Sequence, residues 1–203
     1  MTQIGNLEKL RQVYARPSDL ALRKELDHID RHSREFIGRA PFVVIATADK
    51  DGWPDASPRG DAPGFVTLLD EKHLHLPDRP GNNRLDSFQN LLGNAKIALL
   101  FLVPGRLETL RVNGTARLLT DPELCARHAV AGKPARAILE VTACSVYFQC
   151  GKALLRSALW QLERWPPLDG LASFAEALAD QIKGLDKVAS QSRLEKAYRD
   201  TLY

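Results

Sequence analysis

The sequence predicts an α+β protein: a small antiparallel barrel of five to seven strands with helices packed around it. Three observations lead there. The stretch from residue 42 to about 120 is built of β-branched and alternating runs separated by turn signals, which is the pattern of hairpins. The segments on either side carry apolar residues at helical spacing behind cap residues. The chain has 203 residues and a mass of 22.6 kDa, long enough for one sizeable core and short for two.

Composition removes several classes. Apolar residues make up 44% and charged residues 26%, a balance that excludes collagenous, disordered and disulfide-rich chains. Lys and Arg number 28 against 25 Asp and Glu, and the resulting +3 is too weak and too scattered to argue for nucleic acid or an anionic membrane. No apolar run approaches the roughly 18 residues that a bilayer span requires. Residues 1–17 are charged throughout and lack the apolar core of a signal peptide, so a cytoplasmic location is expected. Cys125, Cys144 and Cys150 are an odd set without Cys-x-x-Cys spacing, which argues against a disulfide framework or a zinc site. Cys144 and Cys150 share parity on an expected strand and read as two buried small apolar side chains.

The elements follow in order. Leu7, Leu10, Val13 and Tyr14 fall at helical spacing, Pro17 interrupts, and Ser18-Asp19 offer a second helix start with an acid in the first turn. A third short helix is expected from about Asp30 to Gly38 with Phe36 and Ile37 facing inward, and Pro41 ends the region. Phe42 to Thr47 is a β-branched run, and Asp51-Gly52 signals the turn to the next extended piece. Phe65 to Leu69 reads as a strand and Asp70-Glu71-Lys72 as a turn. His73-Leu74-His75-Leu76 alternates as a half-buried strand should, which puts both histidines on its exposed face. A helix follows with Leu85, Phe88, Leu91 and Leu92 on one face and Gly93 at its end. Ile97 to Val103 is continuously apolar and reads as a fully buried strand. After Pro104-Gly105 a long alternating strand runs from Leu107 to Leu119. Asp121-Pro122-Glu123 open a helix with cap, proline and acid in sequence. Residues 137–141 and 145–149 look extended. The chain then turns helical to Trp160, breaks at Trp165-Pro166-Pro167, and ends in two amphipathic helices. The whole reads as one domain, 1–203: a helical extension over 1–40, the barrel over 42–150 and a helical tail over 151–203.

The common nucleotide and hydrolase signatures are missing: no Gly-x-Gly-x-x-Gly after a strand, no phosphate-binding Walker loop, no His-Glu-x-x-His, no Gly-x-Ser-x-Gly. His28 and His32, at i and i+4, share a helix face but have no third ligand nearby and read as a solvated face. Two segments carry more chemistry than packing requires. In Pro54 to Gly64, Ser57 and Arg59 share parity, so a hydroxyl and a guanidinium point to one side, as an anion or a flavin edge would need; a Pro-Gly connection with an exposed Arg is the plainer alternative. In Pro77-Asp78-Arg79-Pro80-Gly81-Asn82-Asn83-Arg84, two arginines and two amides precede a helix start, where free N–H groups and the dipole favour a phosphate. The plainer alternative there is an Asn-capped helix with surface arginines.

These segments, taken with Phe42-Val43-Val44-Ile45-Ala46-Thr47, Asp51-Gly52-x-Pro-Asp, Ser57-Pro58-Arg59-Gly60-Asp61, Leu99-Leu100-Phe101, Glu108-Thr109-Leu110-Arg111-Val112-Asn113-Gly114 and Cys150-x-Lys152-Ala153, closely resemble the flavin-binding split-barrel proteins related to pyridoxamine 5'-phosphate oxidase. The match is to a bacterial subgroup described as FMN-dependent, and it covers about residues 35 to 165. The resemblance implies a six-stranded Greek-key split barrel and a homodimer with FMN in two clefts at its interface. It implies that Ser57, Arg59 and Gly60 lie along the isoalloxazine and ribityl chain, and that Pro77 and Asp78 supply strand-end flavin contacts. Arg79, Asn82, Asn83 and Arg84 would hold the phosphate. Glu108, Thr109 and Arg111 would close the cleft from the partner chain.

The chain departs from the true oxidase at two places. The oxidase has an Arg and a Lys on its second barrel strand, where this sequence has Ser-Pro-Arg-Gly-Asp. Its C-terminal Arg-x-His is absent. The resemblance therefore implies an FMN-binding oxidoreductase acting on a small molecule the sequence does not name, with no catalytic residue assigned. The rivals are a true pyridoxamine 5'-phosphate oxidase, a flavin carrier or sensor without turnover, and a split barrel adapted to haem or a deazaflavin.

Overall fold

The computed structural model describes residues 3–203. Three short helices open the chain: α1 (Leu7–Val13), α2 (Asp19–Arg23) and α3 (Arg31–Ile37). Each starts on a side-chain cap, Asn6, Ser18 and Asp30 respectively, whose oxygen accepts from a backbone N–H in the first turn. Only α3 buries side chains, Ser33, Phe36 and Ile37. His28 lies ahead of α3 and pairs with Asp27, so it does not share a helix face with His32.

The strands are β1 (Phe42–Ala48), β2 (Pro54–Gly60), β3 (Thr67–Leu68) and β4 (His73–Pro77). Helix α4 (Asp86–Gly93) follows, then β5 (Lys96–Leu102), β6 (Thr109–Leu119), helix α5 (Pro122–Arg127) and β7 (Ile138–Gln149). They form one antiparallel sheet of seven strands in the order β2-β1-β5-β6-β7-β4-β3. The seventh strand is the two-residue β3. Phe65 and Val66 pack on the core rather than joining the ladder, which shortens the strand expected over Phe65–Leu69. The tail holds α6 (Lys152–Ser157), one 3-10 turn at Leu162–Arg164, α7 (Phe174–Gln181) and α8 (Lys187–Asp200).

Alternation decides the core. Val43 and Ile45 of β1, Leu99 and Phe101 of β5, Leu110 and Val112 of β6 and Leu139 and Val141 of β7 are fully enclosed, and Ile29, Phe36 and Ile37 cover one side. Strand β5 alternates too. Ile97, Leu99 and Phe101 are buried, but Ala98, Leu100 and Leu102 are half-exposed, so the expectation of a strand buried on both faces does not hold within one chain. Helix α4 is placed by Ser87, Phe88 and Leu91; Leu92 is 82% exposed and Leu85 sits outside the helix in a left-handed conformation, contrary to the expected face of three leucines and a phenylalanine. The register between β6 and β7 shifts at Asn113/Gly114: Asn113 faces Ser145, Gly114 faces Ala143, and Cys144 is the unpaired residue of the bulge. That bulge turns Cys144 outward, and Cys150 is also exposed; only Cys125 is buried.

Candidate functional site

Strand β2 is at one edge of the sheet and β4 is next to the other edge, yet both line one cleft of about 400 Å³. The sheet must therefore curl until its edges face each other, and the cleft is the gap between them. The loop from Pro80 to Leu85 and the first residues of α4 form its third wall. Nine of the expected site residues meet there: Ser57, Arg59, Gly60, Pro77, Asp78, Arg79, Asn82, Asn83 and Arg84. Glu108, Thr109 and Arg111 do not line it. They lie at the start of β6, where Glu108 pairs with Arg106 at 3.2 Å, Thr109 is buried, and Arg111 donates to the Tyr147 hydroxyl at 2.9 Å.

Strand β2 offers alternate side chains to the cleft, as a two-residue period requires: Asp55, Ser57 and Arg59 are half-buried while the residues between them are exposed. Arg59 donates from Nη1 to Ser57 Oγ at 2.5 Å and to the Pro58 carbonyl at 2.9 Å, and its guanidinium lies 5.8 Å from the centre of the Phe88 ring. Its Nε is buried without a hydrogen-bond partner, alone in that respect among the described residues. A buried unpaired donor is costly, and such groups in folded proteins ordinarily have an acceptor.

Asp78 directly follows β4, with its backbone N–H on the Ala137 carbonyl at 2.9 Å. Burial pushes its carboxyl above the ordinary carboxylate value, while Arg59, Arg136 and Arg79 pull the other way. Arg79 points away from open solvent. Its Nε donates to Asp61 at 2.9 Å and its Nη1 to the His128 carbonyl at 2.8 Å. The loop then closes on itself: Asn82 Oδ1 accepts from the Arg84 N–H at 3.0 Å, and Asn83, at φ +58°, accepts from Arg136 at 2.9 Å. Neither amide caps α4. Its N-cap position is Leu85, which makes no side-chain cap, so the first-turn N–H groups are left without one beside the cleft. Arg84 is bonded to Asp86 but its side chain is 78% exposed and free to turn. Ser87 Oγ donates to Asp55 at 2.9 Å and ties α4 to β2.

The lining balances three arginines with three aspartates. What suits it to an anion is therefore the arrangement rather than the count: an unpartnered guanidinium nitrogen, an uncapped helix start, and an aspartate whose burial favours the neutral form. The sequence reading missed Asp61, although it stands in the quoted Ser-Pro-Arg-Gly-Asp run; its side chain is 2% exposed and its oxygens accept from Arg79 and from Tyr203. It also missed Arg136 and Tyr203, which no local pattern marks. His75, expected on an exposed face, is 5% exposed. Its Nε2 lies 3.1 Å from Glu140, and its ring meets His128 edge-on at 5.6 Å. Strand β4 is covered on both faces, which the alternation of polar and apolar residues conceals. Among the described residues no group of three or more His, Cys, Asp or Glu could hold a metal ion.

With this geometry established, comparison with known proteins gives a family. The model of the pyridoxamine 5'-phosphate oxidase family matches residues 29–150, more than half of the chain. The chain belongs to that family. Among solved structures, HupZ of Group A Streptococcus is 22% identical, over 60% of this chain and 94% of that one, with a TM-score of 0.49. A Clostridium acetobutylicum protein related to general stress protein 26 is 19% identical, over 59% and 86%, with a TM-score of 0.44. An FMN-binding protein of Syntrophomonas wolfei is 13% identical, over 70% and 95%, with a TM-score of 0.42. No curated protein matches. No helix among the described residues is long and apolar enough to cross a membrane.

Proposed function

We propose that the chain is an FMN-binding flavoprotein of the pyridoxamine 5'-phosphate oxidase class, with FMN in the cleft between β2 and the start of α4. The observation that carries this reading is the buried, unpartnered Nε of Arg59 in a cleft whose other walls are an uncapped helix start and the Arg79–Arg84 loop. These residues fit a cofactor with a flat polar ring at one end and a phosphate at the other. Ser57, Arg59 and Gly60 would lie along the ring and ribityl chain, with Pro77 and Asp78 beside them. Asn82, Asn83 and Arg84 would take the phosphate, with Arg79 behind them. Bound flavin supplies two-electron redox chemistry, and the protein supplies orientation and charge. Arg59 places positive charge beside the ring edge, and the carboxyl of Asp78, raised by burial and opposed by Arg59, Arg136 and Arg79, would lie beside it.

The same reading takes the whole chain as one FMN domain and the curled sheet as the family's six-stranded Greek-key barrel with β3 as an added edge. It takes the protein as a cytoplasmic homodimeric oxidoreductase acting on a small molecule, with Glu108, Thr109 and Arg111 facing the partner's cleft. Purification in the presence of FMN tests it. A two-band oxidised-flavin spectrum at one flavin per chain, bleached by a reductant and restored by air, is the expected result. A chain that retains no flavin, or shows a haem band instead, would overturn it.

A further inference from the structure

Asp61 has a nearly enclosed side chain on the connection that leaves β2, and its carboxylate has three partners: the adjoining Ala62 N–H on Oδ1 at 2.8 Å, and two from distant parts of the chain. Oδ2 accepts from Arg79 Nε at 2.9 Å. Oδ1 accepts from the Tyr203 hydroxyl at 3.0 Å, a contact across 142 residues of sequence. The tail beyond α8 is held a second time, by Lys133 Nζ on the Tyr203 backbone oxygen at 2.6 Å. Tyr203 and Arg79 also line a second cavity of about 290 Å³ with Pro80, Lys133, Pro134 and Arg136, and that cavity shares Arg79 and Pro80 with the main cleft. Elsewhere α7 and α8 bury only Ala175 and Ser190. Beyond α8 the chain is thus held to the barrel by Lys133 and by the carboxylate that holds a cleft arginine.

We propose that Tyr203 is a positioning residue for the cleft: by holding Asp61 in place it fixes the Arg79 guanidinium, so that docking of the tail and binding of a phosphate-bearing ligand favour each other. The chemistry is that of a buried charged pair. An arginine bonded to one carboxylate oxygen keeps its orientation only while that carboxylate keeps its own. With the phenol gone, Oδ1 of Asp61 keeps only the Ala62 N–H, and the enclosed carboxylate, one donor short, is held less firmly and admits water. The Arg79 Nε–H contact then loosens, and the guanidinium is fixed firmly only at the His128 carbonyl. The coupling is reciprocal by necessity, so ligand binding stabilises the docked tail as much as the tail aids the ligand.

This inference rests on the FMN reading for its ligand but not for its relay, and the test separates the two. In the flavin-free chain, the exchange of the Arg79 Nε–H proton is followed by NMR on arginine-labelled protein, in the wild type and in Tyr203→Phe, which keeps the ring and removes only the hydroxyl. About tenfold faster exchange in the variant is expected. FMN and riboflavin affinities are then compared. FMN affinity should fall about fivefold in Tyr203→Phe and riboflavin affinity by less than about twofold, since riboflavin carries no phosphate. Asp61→Asn, which removes the charge paired directly with Arg79, should change both measurements in the same direction and by more. Unchanged Arg79 exchange in Tyr203→Phe would overturn the relay, and equal losses for FMN and riboflavin would overturn its link to the phosphate. A wild type that binds no FMN overturns the functional reading and the link to the phosphate, while the exchange measurement still decides the relay.

Discussion

Single residues divide the cleft into two ends that can be tested separately. Arg84 has its side chain 78% exposed and gives up one weak surface pair with Asp86 to reach a ligand, so Arg84→Ala should cost FMN about tenfold in affinity and riboflavin little. Arg59 sits at the other end with its Nε already buried. Arg59→Ala should weaken FMN and riboflavin alike, by about tenfold or more in each case, and fluorescence titration of both ligands reads the difference. Glu140 gives a pH prediction. Its hydrogen bond to His75 comes first among the causes that hold its carboxyl below the ordinary value of 4.5, ahead of Arg117, while burial opposes them. A depressed carboxyl contributes stability that is fully present above its unfolded value and is lost as pH falls through the folded one. Glu140→Gln should therefore be less stable than the wild type at neutral pH, and the gap should close as pH drops below 4.5, measured by urea unfolding at stepped pH.

At the scale of elements, the β6–β7 ladder depends on one glycine. A Cβ at Gly114 would stand 1.9 Å from the Thr142 carbonyl oxygen, a backbone atom that cannot move aside without opening the bulge. Gly114→Ala should cost about 2–4 kcal/mol in chemical denaturation, well beyond the usual effect of adding a methyl to a strand. The bulge also shows where sequence stops informing. Period made α1, α3, β1 and β5 readable and caps made α2 and α5 so, because Ser18 and Asp121 act within their own turn. An inserted residue in a ladder has no such local mark, so Cys144 was expected inside and is found outside. The burial of His75 was hidden for a related reason: its cover comes from Glu140 and His128, far along the chain. Nine cleft residues were readable because they stand in two short segments beside turn and helix-start signals. Asp61 and Tyr203 meet only through the finished fold.

Over the whole molecule, the outer face of the sheet is the feature that one chain leaves unfinished. Val44 and Ala46 of β1 and Ala98, Leu100 and Leu102 of β5 are half-exposed, and Phe42 beside them is 39% exposed. The proposed homodimer would cover this apolar strip, and an interface of that kind contributes to folding stability as well as to assembly. Leu100→Glu should convert a dimer into a monomer and lower flavin occupancy with it, which sedimentation read at flavin absorbance would show. A wild-type monomer with one tightly held FMN would remove both the shared cleft and the assigned part of Arg111.

The curl that brings β2 opposite the end of β4 has a consequence for time rather than for shape. Strands β5 and β6 are neighbours in sequence, so their hairpin needs little chain ordered before its contacts form. The gap between β2 and β4 exists only once every intervening strand is in place, because the two lie at opposite ends of the ladder. A seam of that kind is expected to close late in folding. A molecule that binds only once the seam has closed would act on contacts absent from the folding transition state. Such contacts leave the rate of folding alone and slow the rate of coming apart. A ligand seated there should lengthen the lifetime of the folded chain without speeding its formation, and stopped-flow refolding and unfolding with and without FMN would show one arm of the kinetics moving while the other stays still.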